Sequence, residues 1–358
     1  MTPQARLDEQ VRAAVHAEAP GVVLVVVGPE GVRASAAVGA ADLGSGTPMS
    51  PDVGMPWFSM TKMATATTVL RLVERGQLDL DAPVAPLVPA VRLLRPTEWA
   101  ERITLRHLLQ HTAGLANPVP VRWIHPAAEP PPEPDDFLAT RLRRAARLRS
   151  EPGGRSRYSN LGTLVAGAVV EHARDQPFEL VVGRELLDPA AMAATGFAVP
   201  ADVPAAVGYH PRRGPARWLL PRWVVGEPAG RWVGLRPFLL DGAAYGGLVG
   251  TPADAARLLQ LHLGDGEVDG VRVLDPATAT LMRRIDAPGR RFDLGLGWFV
   301  PAEDRGARPA YVEHLGAGAG FFNVMRMDVA ERVGAVVMGN ATSYDVDAVA
   351  RLALDYAA

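Results

Sequence analysis

Ser59 and Lys62 stand three residues apart in Ser59-Met60-Thr61-Lys62, and Lys62 is the only lysine in a chain of 358 residues whose 36 other basic residues are all arginine. Lysine and arginine are near-equivalent on a solvated surface, but an ammonium group gives up its proton when buried and a guanidinium does not. A single lysine in an arginine background therefore marks a place where a proton has to move. On a helix, positions i and i+3 share a face with Cβ atoms about 5–6 Å apart, which brings the amine within reach of the serine hydroxyl. That pair is an activated nucleophile, a serine with a lysine as its base. A surface lysine beside an unremarkable serine is the plainer alternative, and it leaves the use of arginine everywhere else unexplained.

The elements that must position the pair are legible in the apolar pattern. Residues 4–18 read as a first helix, with Leu7, Val11 and Val15 four apart. Residues 22–27 and 32–38 are β-branched runs joined by Gly28-Pro29-Glu30-Gly31, a hairpin signal. Residues 61–75 are helical in pattern and stop at Gly76, so Ser59 lies near a helix N-terminus, where free N–H groups favour a developing anion. From residue 79 to about 237 helices and loops dominate, with many prolines and no strand ladder. Strand-like runs return at 294–300, 320–327 and 333–338, and a helix over 345–356 closes the chain. Strands at both ends with helices between them predict an α/β (α+β) fold with one antiparallel sheet built from the two chain ends and flanked by helices. Residues 1–78 and 239–358 would form that sheet subdomain and 79–238 a mostly helical subdomain, with the active site between them.

Composition limits the function classes. Apolar content of 48% and charged content of 21% belong to an ordinary globular protein, and a net charge of −2 gives no electrostatic case for nucleic acid or an acidic membrane. The absence of cysteine removes thiol catalysis, disulfides and thiolate metal sites. The first twenty residues lack the apolar core of a signal peptide, so a cytoplasmic location is the expectation, and no run is long enough for membrane insertion. Monomer and dimer stay open.

Three further stretches extend the serine–lysine pair. Tyr158-Ser159-Asn160 follows the loop Pro152-Gly153-Gly154 and precedes an apolar helix; His314-Leu315-Gly316 opens a glycine-rich turn leading into a strand; Leu108-Leu109-Gln110-His111-Thr112-Ala113-Gly114-Leu115 ends a central helix. In this order they resemble the serine β-lactamase-like hydrolases: class C β-lactamases, D-alanyl-D-alanine peptidases, and the esterases and amidases of the same β-lactamase/transpeptidase-like fold. The resemblance runs over nearly the whole chain. It takes in Gly76-Gln77-Leu78-Asp79-Leu80-Asp81, and Gly246-Gly247-Leu248 followed by Thr251-Pro252-Ala253-Asp254.

The resemblance implies a serine hydrolase with no cofactor and no metal, acting on a small-molecule acyl substrate through an acyl-enzyme on Ser59. Lys62 and Tyr158 would be the other catalytic residues, with the choice of base between them open. Asn160 would donate an amide hydrogen to the serine–lysine network or to the substrate. Ala317, next to Gly316, would join the Ser59 backbone N–H in an oxyanion hole, a feature worth about 3–4 kcal/mol per donor. The third motif departs from the Lys-Thr-Gly common in β-lactamases. His314-Leu315-Gly316 loses the fixed charge and the hydroxyl suited to a substrate carboxylate, which shifts the expectation to carboxylesterase-like activity on esters or amides. Arg326, or an arginine of the 212–236 loop, would be needed to restore a charge. The alternatives are a β-lactamase or D-amino acid amidase or peptidase, an acyltransferase using the same intermediate, and a non-catalytic penicillin-binding-like protein.

Other signals are weaker. His107 and His111 are four apart, as zinc ligands can be, but Leu108-Leu109-Gln110 between them lacks the glutamate of a metalloprotease, so a structural His111 is favoured. There is no Gly-x-Ser-x-Gly. Residues 126–134 are proline-rich and should be extended and exposed, and the arginines of 137–150 read as a solvated face. Residues 217–238, with Trp218, Trp223 and Trp232, suit either a loop roofing a pocket or simple anchoring in the core.

Overall fold

An unbroken run of apolar, mostly β-branched residues such as 22–27 is stable as a strand covered on both faces. The computed structural model describes every residue except Met1, Ala17, Val121, residues 215–218, Arg305, residues 307–310 and Ala358. In it the run is the strand Gly21–Gly28, buried along its whole length. It pairs antiparallel with Gly31–Asp42 on one edge and with Val333–Gly339, near the other chain end, on the second. The sheet has eight strands in the order Phe292–Leu294, Phe299–Pro301, Tyr311–Gly318, Phe321–Asp328, Val333–Gly339, Gly21–Gly28, Gly31–Asp42, Thr47–Pro48. Every neighbouring pair is antiparallel. Both chain ends thus build one sheet, as the sequence predicts.

Alternation along the central strand assigns its two faces. Val22, Leu24 and Val26 share a core with Leu7, Val11 and Val15 of the first helix, Pro3–Val15, and with Val349 and Ala353 of the last, Val346–Ala357. Val23, Val25 and Val27 face the larger core, which includes Met63, Ala66 and Leu70 of the helix Thr61–Glu74 and Leu258 and Leu259 of Pro252–Leu263. At about 1.5–3 kcal/mol for each large aliphatic side chain fully buried, this double coverage fixes the sheet under the helix that carries Lys62.

Three elements differ from the sequence expectation, each for a physical reason. The first helix stops at Val15, because His16 turns left-handed at φ 37°. Residues 294–300 are not one strand but a hairpin of Phe292–Leu294 and Phe299–Pro301, turned through Gly297 at φ +105°. His314-Leu315-Gly316 opens no turn; it lies inside the strand Tyr311–Gly318, and the reversal comes at Gly320, φ +72°. Glycines 316 and 318 serve close approach instead: a Cβ at Gly316 would lie 2.1 Å from the Trp57 carbonyl oxygen, and one at Gly318 2.1 Å from the Phe58 ring.

The middle of the chain also has ladders. Ile124–Pro126 pairs with Phe238–Leu240, and Tyr209–Pro211, Trp232–Leu235 and Val225–Ala229 form a three-stranded sheet. These strands are three to five residues long, too short for an alternation to register. Of the proline-rich stretch 126–134, residues 127–134 are exposed as expected, while Pro126 is half-buried at the end of the strand Ile124–Pro126.

Candidate active site

Ser59, the candidate nucleophile, sits on a turn held from both sides. Trp57 N–H donates to the Leu248 carbonyl at 2.8 Å, and Leu248 N–H donates to Thr61 Oγ1 at 3.2 Å, so Gly246-Gly247-Leu248 clamps the entry to the helix. Phe58 has φ +48°, a left-handed conformation that costs a non-glycine residue about 1–3 kcal/mol. Its ring offsets this by packing against Phe238 and Phe321 at 6.4 and 6.3 Å. A short 3-10 turn, Phe58–Met60, then runs into Thr61–Glu74. This places Ser59 at the amino end of a buried helix and Lys62 just inside it.

Lys62 is 3% exposed. Its Nζ lies 3.0 Å from Ser59 Oγ and donates to the Tyr245 carbonyl at 2.7 Å. The rings of Tyr158 and Tyr245 stand 5.0 and 5.5 Å away. Desolvation, with no carboxylate to oppose it, drives the amine well below its usual 10.5. A neutral amine still donates to Tyr245 and has a lone pair free to accept the Ser59 proton.

Tyr158 completes the group. Burial raises its phenol well above the ordinary value of 10, against a lowering influence of the Ser59 side chain. Burial thus acts in opposite directions on the two groups, disfavouring the charged form of the lysine and of the phenol alike. The segment carrying Tyr158 rests on the 111–117 loop. Arg157 N–H donates to the His111 carbonyl at 2.8 Å, Ser159 N–H to His111 Nδ1 at 3.2 Å, Ser159 Oγ to the Ala116 carbonyl at 2.8 Å, and Asn160 N–H to Asn117 Oδ1 at 3.0 Å. Gly114, at φ +72°, lets the loop pass Ser150, whose carbonyl oxygen a Cβ would meet at 2.1 Å.

A cleft of about 380 Å³ opens over Ser59. Asn160 and Ala317 line it, and Phe58, Ile124, Leu219, Leu220, Phe238 and Leu240 make its apolar wall. Asn160 Oδ1 is buried with no hydrogen-bond partner. A separate cavity of about 360 Å³, beside Phe137, Leu164 and Phe178, includes none of the catalytic candidates. His314 is 1% exposed and lies next to Tyr158, ring centroids 6.3 Å apart, not in the wall of the cleft. Its Nδ1 is 2.7 Å from the Gly297 carbonyl, and burial pushes its pKa down to about 3. It is a neutral imidazole that donates through Nδ1, and its Nε2 is buried without a partner.

The structure answers two points about the surroundings that the sequence left open. Arg326 supplies no charge to the cleft. It is 2% exposed and bound to Glu313 at 2.6 Å and Asp347 at 2.7 Å. Its cross-strand partner is Glu313, the neighbour of His314, and residues adjacent along a strand point to opposite faces. Nor do the described tryptophans of the 217–238 stretch line the cleft. Trp232 is buried in the core beside the first helix, Trp223 packs against the larger core, and Trp218 lies outside the described residues. Leu219, Leu220 and Phe238 of that stretch do reach the cleft. His107 uses Nδ1 to accept from Thr104 N–H, closing a capping box on Leu105–Leu109.

Sequence reasoning missed the Tyr245 carbonyl, a backbone group whose only signal was the glycine pair that follows it. It also missed Asn117, two residues beyond the Leu108–Leu115 motif.

The Beta-lactamase family model matches residues 7–358. Protein Rv1367c of Mycobacterium tuberculosis is 35% identical over 263 residues, which is 69% of this chain and 63% of that protein, so the match spans less than two thirds of the relative's length. Esterase EstB of Burkholderia gladioli is 35% identical over 202 residues, 53% of this chain and 50% of the esterase. The D-amino acid amidase of Ochrobactrum anthropi SV3 superposes with a TM-score of 0.78 at 22% identity, covering 99% of this chain and 98% of the amidase.

Proposed function

The chain belongs to the Beta-lactamase family, and from that premise we propose that it is a serine hydrolase that cleaves uncharged carboxylic esters through an acyl-enzyme on Ser59. The carrying observation is the buried Lys62 amine 3.0 Å from Ser59 Oγ, its charged form disfavoured by burial. Ser59 Oγ attacks the ester carbonyl while its proton passes to Lys62 Nζ. The oxyanion is met by the backbone N–H groups of Ser59 and Ala317. Collapse of the tetrahedral intermediate breaks the bond to the alkoxy group, which leaves with the Tyr158 hydroxyl proton, and Lys62 returns its proton to Tyr158. Water then enters, and the same transfers in reverse free the acid. Lys62 as base and Tyr158 as acid agree with the directions of their shifts, one lowered and one raised by burial.

Tyr158→Phe tests the relay because it keeps the ring and deletes the hydroxyl. We expect kcat to fall about 10³-fold with KM nearly unchanged, since the missing step belongs to the transition state. A change confined to KM would make Tyr158 a substrate-binding residue.

The preference for esters over lactams follows from charge. Penicillins and cephalosporins carry a carboxylate, and the described lining residues of the cleft include no arginine or free lysine. His314 is neutral and Arg326 is engaged on another face. A charge-assisted hydrogen bond is worth about 1.5–3 kcal/mol, roughly one to two decades in rate. An ester series with short to medium acyl chains should therefore exceed a chromogenic cephalosporin in kcat/KM by at least about tenfold on the same preparation. Cephalosporin turnover equal to the best ester would replace this reading with a β-lactamase.

A further inference from the structure

His111 is a histidine in the left-handed region, φ +54°, immediately beyond the short helix Leu105–Leu109. That strained turn aims two acceptors at one short segment. Its carbonyl takes the N–H of Arg157, and its Nδ1 takes the N–H of Ser159. Tyr158 is the residue between them, and its ring lies against the imidazole with centroids 4.6 Å apart and planes at 41°. The tyrosine is therefore bracketed before, after and along its ring by a single side chain and its own carbonyl.

We propose that His111 is the positioning residue that sets the Tyr158 hydroxyl against Ser59, acting as a neutral imidazole with its proton on Nε2. Nδ1 must stay unprotonated to accept from Ser159, which fixes the tautomer. Burial keeps the ring well below its usual 6.5 and so uncharged. A charged His111 would lose the Ser159 bond and set a cation beside Lys62. The proposal rests on the reading of Tyr158 as proton donor, and it assigns His111 no contact with substrate.

Three variants measured for kcat, KM and melting temperature test it. Asparagine is tolerated at positive φ and carries an oxygen about where Nδ1 stands, so His111→Asn should keep kcat within about tenfold of the parent. His111→Phe keeps a ring but leaves the Ser159 N–H without an acceptor. It should lose about 100-fold in kcat, the scale of a small misplacement of a catalytic group, with KM within about threefold. In the double variant with Tyr158→Phe, the loss of His111 should add little, because the hydroxyl it positions is already gone. Multiplying effects in the double variant, or an Asn variant as impaired as the Phe variant, would reduce His111 to a packing residue. If Tyr158→Phe lowers kcat and His111→Phe does not, this proposal fails alone. If Tyr158→Phe leaves kcat intact, the proton-donor reading fails and the proposal with it.

Discussion

Ser59→Ala should lower ester hydrolysis by at least about 10⁴-fold in kcat, about 5 kcal/mol of transition-state stabilisation, and leave the fold in place. The size follows from covalent chemistry. With no oxygen at Ser59 there is no acyl-enzyme, and only direct attack by water within the cleft remains. The fold is spared because the turn is held by Trp57, Leu248 and Thr61 through bonds that do not use the serine hydroxyl, and by the Phe58 ring between Phe238 and Phe321. Rates within about tenfold of the parent, with an unchanged melting temperature, would remove Ser59 as nucleophile.

Lys62→Arg should be almost as damaging as Lys62→Ala, each losing about 10³-fold in kcat. The guanidinium is planar and larger than the ammonium held against Ser59 Oγ and the Tyr245 carbonyl, and it cannot release a proton. Substantial recovery by arginine would mean that Lys62 acts through charge alone. Stability should move the other way. The ordinary lysine value is 10.5 and burial lowers it in the fold, so between the two values the unfolded chain holds a proton that the folded chain has given up. Stability therefore rises with pH across that window, and the burden of the lysine is largest below it. Lys62→Met, which keeps the volume without the amine, should melt no lower than the parent at neutral pH. Any advantage it has should shrink as the pH approaches 10.5.

The parts of this molecule that were legible in its sequence are those governed by local chemistry. A lone lysine among arginines pointed to the Ser59–Lys62 pair, which the structure brings to 3.0 Å, because the two cations differ in one property, the ability to lose a proton. The valine runs at 22–27 and 333–338 located the two halves of the sheet, because their burial demands pairing. The strand Tyr311–Gly318 was hidden by its own glycines. Gly316 and Gly318 read as a turn and instead let the strand lie against Trp57 and Phe58, a need visible only with the partner in place. Arg326 was a fair candidate for the missing charge until the register set it opposite Glu313. His111 read as a structural residue because its work lies in contacts with Arg157, Tyr158 and Ser159, about fifty positions along the chain. Short strands among prolines, such as Tyr209–Pro211, carry too few residues for a period to emerge.

The central claim is the covalent intermediate on Ser59. Its most direct test is intact-mass spectrometry of enzyme quenched during turnover of a short-chain activated ester, followed by peptide mapping. The account predicts one added acyl mass per chain, mapped to the peptide containing Ser59 and absent from Ser59→Ala. Steady turnover with no adduct at any quench time, or an acyl group mapped to another residue, would contradict it.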